Sequence, residues 1–282
     1  MSTNAAPSRF PPYATLRDRL VWLALRAFCI AALVFLMAPV LVIVPLAFNA
    51  DPYFTYPIHH YTAKWFREFF TDEVWGLSVR NSFVIALAAT AIATTLGTLA
   101  ALGLTHRNLP GRALLTAVLV SPMIVPIVII AVGAYFFYSK LGIANSLTGI
   151  ILAHAVLGTP FVLITVTATL AGFDQGLVRA ARIHGASPWV AFRRVTLPLI
   201  WPGVFSGALF AFATSFDEVV VVLFLGGVEQ RTIPRQMWTG LREQLSPTIL
   251  AAAVVLILIS VAMLLTLEAL RRRNARLRGL QD

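Results

Sequence analysis

The chain has 282 residues, 59% hydrophobic and only 12% charged, with a mean hydropathy of +0.82; no soluble domain of that length needs so much apolar surface, so composition points to a multi-span membrane protein. The formal charge of +10 does not indicate nucleic acid, because the arginines are spread between apolar runs rather than gathered on one face with interleaved aromatics.

A bilayer core about 30 Å thick takes roughly 20 apolar residues as a helix. Runs of that kind lie at about 21–48, 82–104, 113–137, 147–171, 199–226 and 247–268. Each is expected to be helical, since a span cannot leave backbone groups unpaired in hydrocarbon. The expected fold is therefore all-α, with six transmembrane helices. The organisation that follows is an N-terminal segment 1–20, a transmembrane unit 21–268 and a basic tail 269–282.

Met1–Arg19 is polar and carries Pro7, Pro11 and Pro12; the run Leu20–Ala47 after it is too long for a signal-peptide core and lacks a small-residue cleavage site. It is expected to stay as the first span, with the Arg26 side chain snorkelling to the interface. Cys29 in the same run stands alone, which excludes an intramolecular disulfide and a cysteine-rich metal site. The segment Ala50–Arg80 gathers Tyr53, Phe54, Tyr56, Tyr61, Trp65, Phe66, Phe69, Phe70 and Trp75, a pattern suited to an interfacial helix, whether it anchors the spans or docks a partner. His59 and His60 have no carboxylate or cysteine at ligand spacing, so no metal site is expected there.

Pro122 and Pro126, four residues apart in the third run, predict a kink. A lone His154 sits in the fourth. In the fifth, Asp217 and Glu218 are adjacent carboxylates in an apolar stretch, costly unless paired, hydrated or protonated, and they form a candidate site by default. Successive helical residues point about 100° apart, so one of the two, with Asp217 favoured, is expected to face a central path beside Ser215 and Phe216. The structural alternative is that both acids pair with Arg231, Arg235 or another subunit. Phe205, Phe212 and Phe216 recur at helical spacing, as bundle packing does.

Lys and Arg in alternate connections set the orientation. Arg9, Arg17 and Arg19, then Arg107 and Arg112, then Arg179, Arg182, Arg193 and Arg194, then Arg271, Arg272, Arg273, Arg276 and Arg278 fall on one side. Acidic residues largely offset the basic ones on the other, so both termini are expected to be cytoplasmic.

The cytoplasmic connection 172–198 is long for a helical bundle, and long loops tend to carry function. Asp174 is expected to cap a short helix through Val178–His184, Gly185 to end it, Ser187 and Pro188 to begin another, and Pro198 to stop that one at the membrane. Such a short helix can act as a rigid peg in the cleft of a cytoplasmic partner, with Ala180 and Ala181 permitting close approach.

Within this loop Arg179-Ala180-Ala181, Gly185, Val195, Leu197 and Pro198 stand at the spacing of a known signature: Glu-Ala-Ala, three residues, Gly, nine residues, Ile-x-Leu-Pro. The chain resembles the permeases of binding-protein-dependent ABC importers, with Arg179 in place of the usual glutamate. The likeness runs from the first span to the sixth. Within the family it is similar to spermidine and putrescine permeases at Asn81-Ser82, Pro122 and Pro126, Ser215-Phe216-Asp217-Glu218, Thr232-Ile233-Pro234 and Ser246-Pro247. Ile127 departs from that pattern, since many polyamine permeases carry an acid after the proline.

The resemblance implies a type I ABC importer permease (MetI-like) architecture in the bacterial inner membrane. It implies a non-catalytic subunit that couples to its ATPase through Arg179, Ala180, Ala181, Gly185, Leu197 and Pro198. The implied partners are a second permease in a heterodimer, two cytoplasmic ATPase subunits that bind ATP and Mg, and an extracytoplasmic binding protein, all set in membrane lipid. The implied cargo is a small organic cation of the polyamine class, with opines or amino-acid-like amines as alternatives. No Gly-x-x-x-x-Gly-Lys-Ser/Thr run occurs, so energy must come from another chain. A secondary transporter, the alternative from another class, would favour ionisable residues in several spans and inverted halves, and no internal repeat is evident.

Overall fold

The computed structural model describes residues 15–105, 109–243 and 245–277. Pro7, Pro11, Pro12, Arg9, Arg107 and Arg278 lie outside them. The described chain is all helical apart from its connections and one isolated bridge, Asn49 to Tyr61.

Helix α1 (Leu16–Leu46) opens on a capping box, in which Asp18 N donates to Thr15 Oγ1 at 3.2 Å and Thr15 N to Asp18 Oδ2 at 2.9 Å. It packs against the last helix, and none of its side chains is buried. The aromatic segment after α1 contains a short helix, α2 (Lys64–Thr71), which buries Trp65 and Phe69. Asp72 ends α2 and caps α3 (Glu73–Leu104) by accepting from Trp75 N at 2.9 Å. The second span therefore starts well before residue 82, because a capping carboxylate sits inside the segment read as interfacial.

The third apolar run is not one kinked helix. It is α4 (Arg112–Val120), a 3-10 turn at Ser121–Met123, then α5 (Ile127–Lys140), bent by 98°. Pro122 and Pro126 each lack an N–H and crowd the preceding turn, and two of them four residues apart interrupt the helix rather than bend it.

Ser146 caps α6 (Leu147–Ala171) through Gly149 N at 3.1 Å. Two short helices follow, α7 (Gln175–Ile183) and α8 (Pro188–Ala191). A π turn at Phe192–Thr196 joins α8 to α9 (Leu197–Phe216), giving an unbroken helical stretch of 29 residues from Pro188 to Phe216. After it come α10 (Val220–Leu225), α11 (Ile233–Glu243) and α12 (Thr248–Leu277). Among the described residues five stretches are long and apolar enough to span a bilayer, and the bent α4–α5 pair makes up to six.

Helices α3, α6 and α9 form the core, burying Ala93, Val162, Leu163, Val166, Ile200 and Val204. Lipid is as apolar as leucine, so close packing rather than water exclusion must hold these helices together. The sequence supplies small residues where they cross. A Cβ on Gly97 would lie 2.7 Å from Val162 Cβ, and one on Gly158 would lie 3.0 Å from Ala211 Cβ and 3.2 Å from Ala93 Cβ. A second cluster joins α5, α6 and α10, and a third, with Phe69, Trp75, Phe216, Ile233 and Ile249, closes the end of the bundle nearest α2 and α11.

Candidate functional site

Two places carry the sequence-derived site residues. The first is the connection between α6 and α9. Asp174 accepts from Gly176 N at 2.7 Å and starts α7. Gly185, at φ +85°, ends it: Ala186 N reaches back to Ala181 O at 3.1 Å and Gly185 N to Arg182 O at 3.0 Å, a closure that favours glycine. Ser187 caps α8 through Val190 N at 3.4 Å, with Pro188 in its first turn. Arg179, Ala180, Gly185 and Pro198 are exposed, while Ala181 and Leu197 are half-buried.

Pro198 does not stop the helix, contrary to the expectation. A proline there has no N–H to give and its ring would strike the Arg194 carbonyl. The π turn just before it, where Leu197 N bonds Phe192 O five residues back, widens the helix so that the chain runs on into α9. The second part of the loop, from Pro188, and the fifth span are thus one continuous helix.

The second place is the acidic pair, which lies at a break and not on a helix face. Helix α9 ends at Phe216, with Asp217 N donating to Ala213 O at 3.1 Å. Glu218 turns its carboxylate onto its own chain, Oε1 accepting from Val221 N at 2.9 Å at the start of α10. Asp217 is exposed and lines two cavities. One, of about 410 Å³, it shares with Ala213, Thr214 and Glu218; the other, about 290 Å³ and apolar, lies between α9 and α12 beside Phe210, Phe216, Leu256 and Met263.

Ser215 and Phe216 are buried, Phe216 at the wall of the second cavity. Phe216 stacks on Phe212 at 5.3 Å and packs against Phe83 at 5.1 Å. The arginines offered as partners for the acids are engaged elsewhere: Arg231 Nη1 donates to Gln236 Oε1 at 3.2 Å and Arg235 Nη1 to Gly227 O at 2.6 Å. Burial, then the neighbouring Arg231 charge, pushes the Arg235 guanidinium down from its usual value. Among the described residues no group of three or more His, Cys, Asp or Glu could hold a metal ion.

Sequence reasoning did not assign a role to His154. It is 1% exposed, and its Nδ1 lies 2.8 Å from Ser215 Oγ, which ties α6 to the last turn of α9 just before the break. Its Nε2 is buried without a hydrogen-bond partner. Nor did it foresee that two of the family-like motifs meet. Asn81 Nδ2 donates to Glu229 O at 2.7 Å and Arg231 O at 2.9 Å, and Ser82 Oγ accepts from Ile233 N at 2.9 Å. The loop before α11 is thereby fastened to α3. Each motif is visible alone; a separation of about 150 residues hides the pairing.

Residues 93–276 match the family described as the binding-protein-dependent transport system inner membrane component. The spermidine/putrescine transport system permease protein PotC of Haemophilus influenzae is 29% identical over 248 residues, covering 88% of this chain and 96% of that protein. The putrescine transport system permease protein PotI of Escherichia coli K12 is 30% identical over 233 residues, covering 79% and 82%. A bacterial alginate ABC transporter, solved in complex with an alginate pentasaccharide-bound periplasmic protein, superposes with a TM-score of 0.71 at 19% identity, over 91% of this chain and 95% of that one. At such identity the solved structure speaks for the fold alone. The chain therefore belongs to the binding-protein-dependent transport system inner membrane components, the non-catalytic, multi-pass permeases of bacterial ABC importers.

Proposed function

We propose that this permease, with a second related permease, forms the path for a small organic cation of the polyamine class, and that both termini, the 1–20 segment, the 172–198 loop and the 269–282 tail are cytoplasmic. The observation that carries the cation reading is Asp217, an exposed carboxylate at the broken end of α9 on a cavity of about 410 Å³. A carboxylate kept at membrane depth favours a positive ligand and opposes an anion. Relatives that transport spermidine and putrescine support the same class. The distribution of Lys and Arg supports the orientation. Helix α1, with 31 residues and no buried side chain, supports a second subunit against which it can pack.

In this reading α7 is the peg that an ATPase grips. ATP binding closes the ATPase pair, the peg moves with it, and the spans open towards the docked binding protein; hydrolysis restores the inward-facing state. Reversing such an equilibrium almost fully takes about 5.5 kcal/mol of differential binding, within the combined reach of nucleotide and partner contacts. The test is uptake of labelled putrescine and spermidine by cells carrying this permease with its transport partners, against an ATPase-dead control. ATPase-dependent accumulation that falls at least tenfold in Asp217→Asn is expected. No uptake by an assembled, ATP-hydrolysing complex would overturn the polyamine assignment; transport of an opine or amino-acid-like amine instead would redirect it.

A further inference from the structure

The ATPase-coupling reading of α7 leaves open what the partner looks like, and the helix constrains it. Going round α7, Val178 and Ala181 are half-buried, while Arg179, Ala180, Arg182 and Ile183 are exposed. Arg179 and Arg182 are three residues apart and Arg179 and Ile183 four, so they are neighbours on the exposed surface. The π turn that carries exposed Arg193 and Arg194 packs against α7. Between Gly172 and Pro198 the sole acidic residue is Asp174, and its Oδ1 already caps Gly176 N. Among the described residues no ion pair is made by Arg179 or Arg182.

Apolar anchors accompany these charges: Ile183 is 84% exposed and Trp189 67%. A cationic surface with two large apolar side chains is built to be covered. Its occupant is the ATPase rather than the bilayer, because a permease of this family holds no nucleotide-binding run and must be driven by contact with a separate ATPase chain, although Leu177, Ala180 and Ile183 share an exposed apolar edge beside the arginines. We infer that the ATPase groove receiving α7 is acidic, with carboxylates meeting Arg179 and Arg182 and an apolar pocket for Ile183. Arg179 stands where the signature has glutamate, so this groove has the opposite sign to one that fits an acidic peg. The inference rests on the coupling reading above.

The test measures binding of the cognate ATPase to the full permease pair in nanodiscs of zwitterionic and of partly anionic lipid, across a range of salt. Arg179→Glu with Arg182→Glu is expected to weaken binding tenfold or more, and Arg179→Lys to preserve it. Binding by the unmodified permease is expected to weaken as salt rises, and an Asp or Glu→Arg change in the ATPase groove to restore binding to the Arg179→Glu permease. Equal melting temperatures of the permease variants exclude misfolding as the cause. Unchanged binding by the double charge reversal overturns the acidic groove. If Gly185→Val breaks binding in that same experiment, the peg survives without it; if neither change matters, the coupling reading itself fails. Binding that requires anionic lipid would identify the membrane as the occupant and overturn the inference.

Discussion

Gly207 offers the sharpest test of how the core is held. A Cβ there would lie 2.7 Å from Val162 Cα and would also strike Thr165 Oγ1. Carbon atoms pack at about 3.5–4.0 Å, so Gly207→Ala intrudes by about 1 Å on the backbone of α6, which cannot rotate away. One turn earlier a Cβ on Gly203 would lie 3.0 Å from Thr165 O, so forcing the helices apart at 207 also loosens the contact at 203. Overpacking of this kind costs about 1–3 kcal/mol, and the better helix propensity of alanine offsets about 1 kcal/mol. A net loss of about 1 kcal/mol is expected for alanine and a larger one for valine. Gly76, on α3 with nothing within 4 Å of its would-be Cβ, is the control. Gly76→Ala has only the propensity gain, up to about 1 kcal/mol. Thermal unfolding of the purified permease pair in nanodiscs should therefore rank Gly76→Ala at or above the unmodified protein and Gly207→Ala below it. A melting temperature for Gly207→Ala equal to that of Gly76→Ala would refute close α6–α9 packing.

His154→Ala should lower stability by about 1–3 kcal/mol, because it strands a buried Ser215 hydroxyl. In a double-mutant melting cycle with Ser215→Ala the two losses should be clearly non-additive. Asn81→Ala removes both bonds to the loop before α11, so amide hydrogen exchange at 229–233 should rise well ahead of exchange in the α3–α6–α9 core. Gly185→Ala forces a side chain into φ +85° at a cost of about 1–2 kcal/mol. Transport-coupled ATP hydrolysis should fall in that variant while the core melts as before.

Most spans were legible because the bilayer sets a length that few other constraints require, and runs such as 147–171 match their helix end to end. The 172–198 loop was legible for a different reason: Asp174, Gly185 and Ser187-Pro188 are local signals whose effects do not depend on distant contacts. Breaks were read less well. Pro122 and Pro126 announced a disturbance but not a 98° turn. The break at Asp217 had no announcement, since neither proline nor glycine stands between Gly207 and Gly226 and Val219-Val220-Val221-Val222 continues the apolar run. There the helix yields because Glu218 offers its own carboxylate as a cap for Val221, a competition that hydropathy does not register. His154 escaped assignment because its meaning lies in a partner 61 residues away.

The proposed coupling loop and the acidic break sit at opposite ends of one helical stretch, Pro188–Phe216, whose 29 residues reach roughly 40 Å at 1.5 Å each. A rod of that length transmits a push only if its middle is held. Gly203 and Gly207 seat α9 against Thr165, Thr169 and Val162 of α6 so closely that the two helices cannot slide past one another independently. Helix α6 in turn leads through Gly172–Asp174 into α7, so both ends of the loop are attached to the same locked pair. Force applied at α7 thus moves α6 and α9 as one body rather than shearing them. The places left to yield are the interruptions, the 98° bend between α4 and α5 and the break at Asp217. The second of these carries the exposed carboxylate and is anchored, two residues in, by the His154–Ser215 bond. If the loop is the coupling element and Asp217 lines the path, as proposed, a push at the loop would reach the carboxylate as a change in its surroundings while the core stays intact, as alternating access requires.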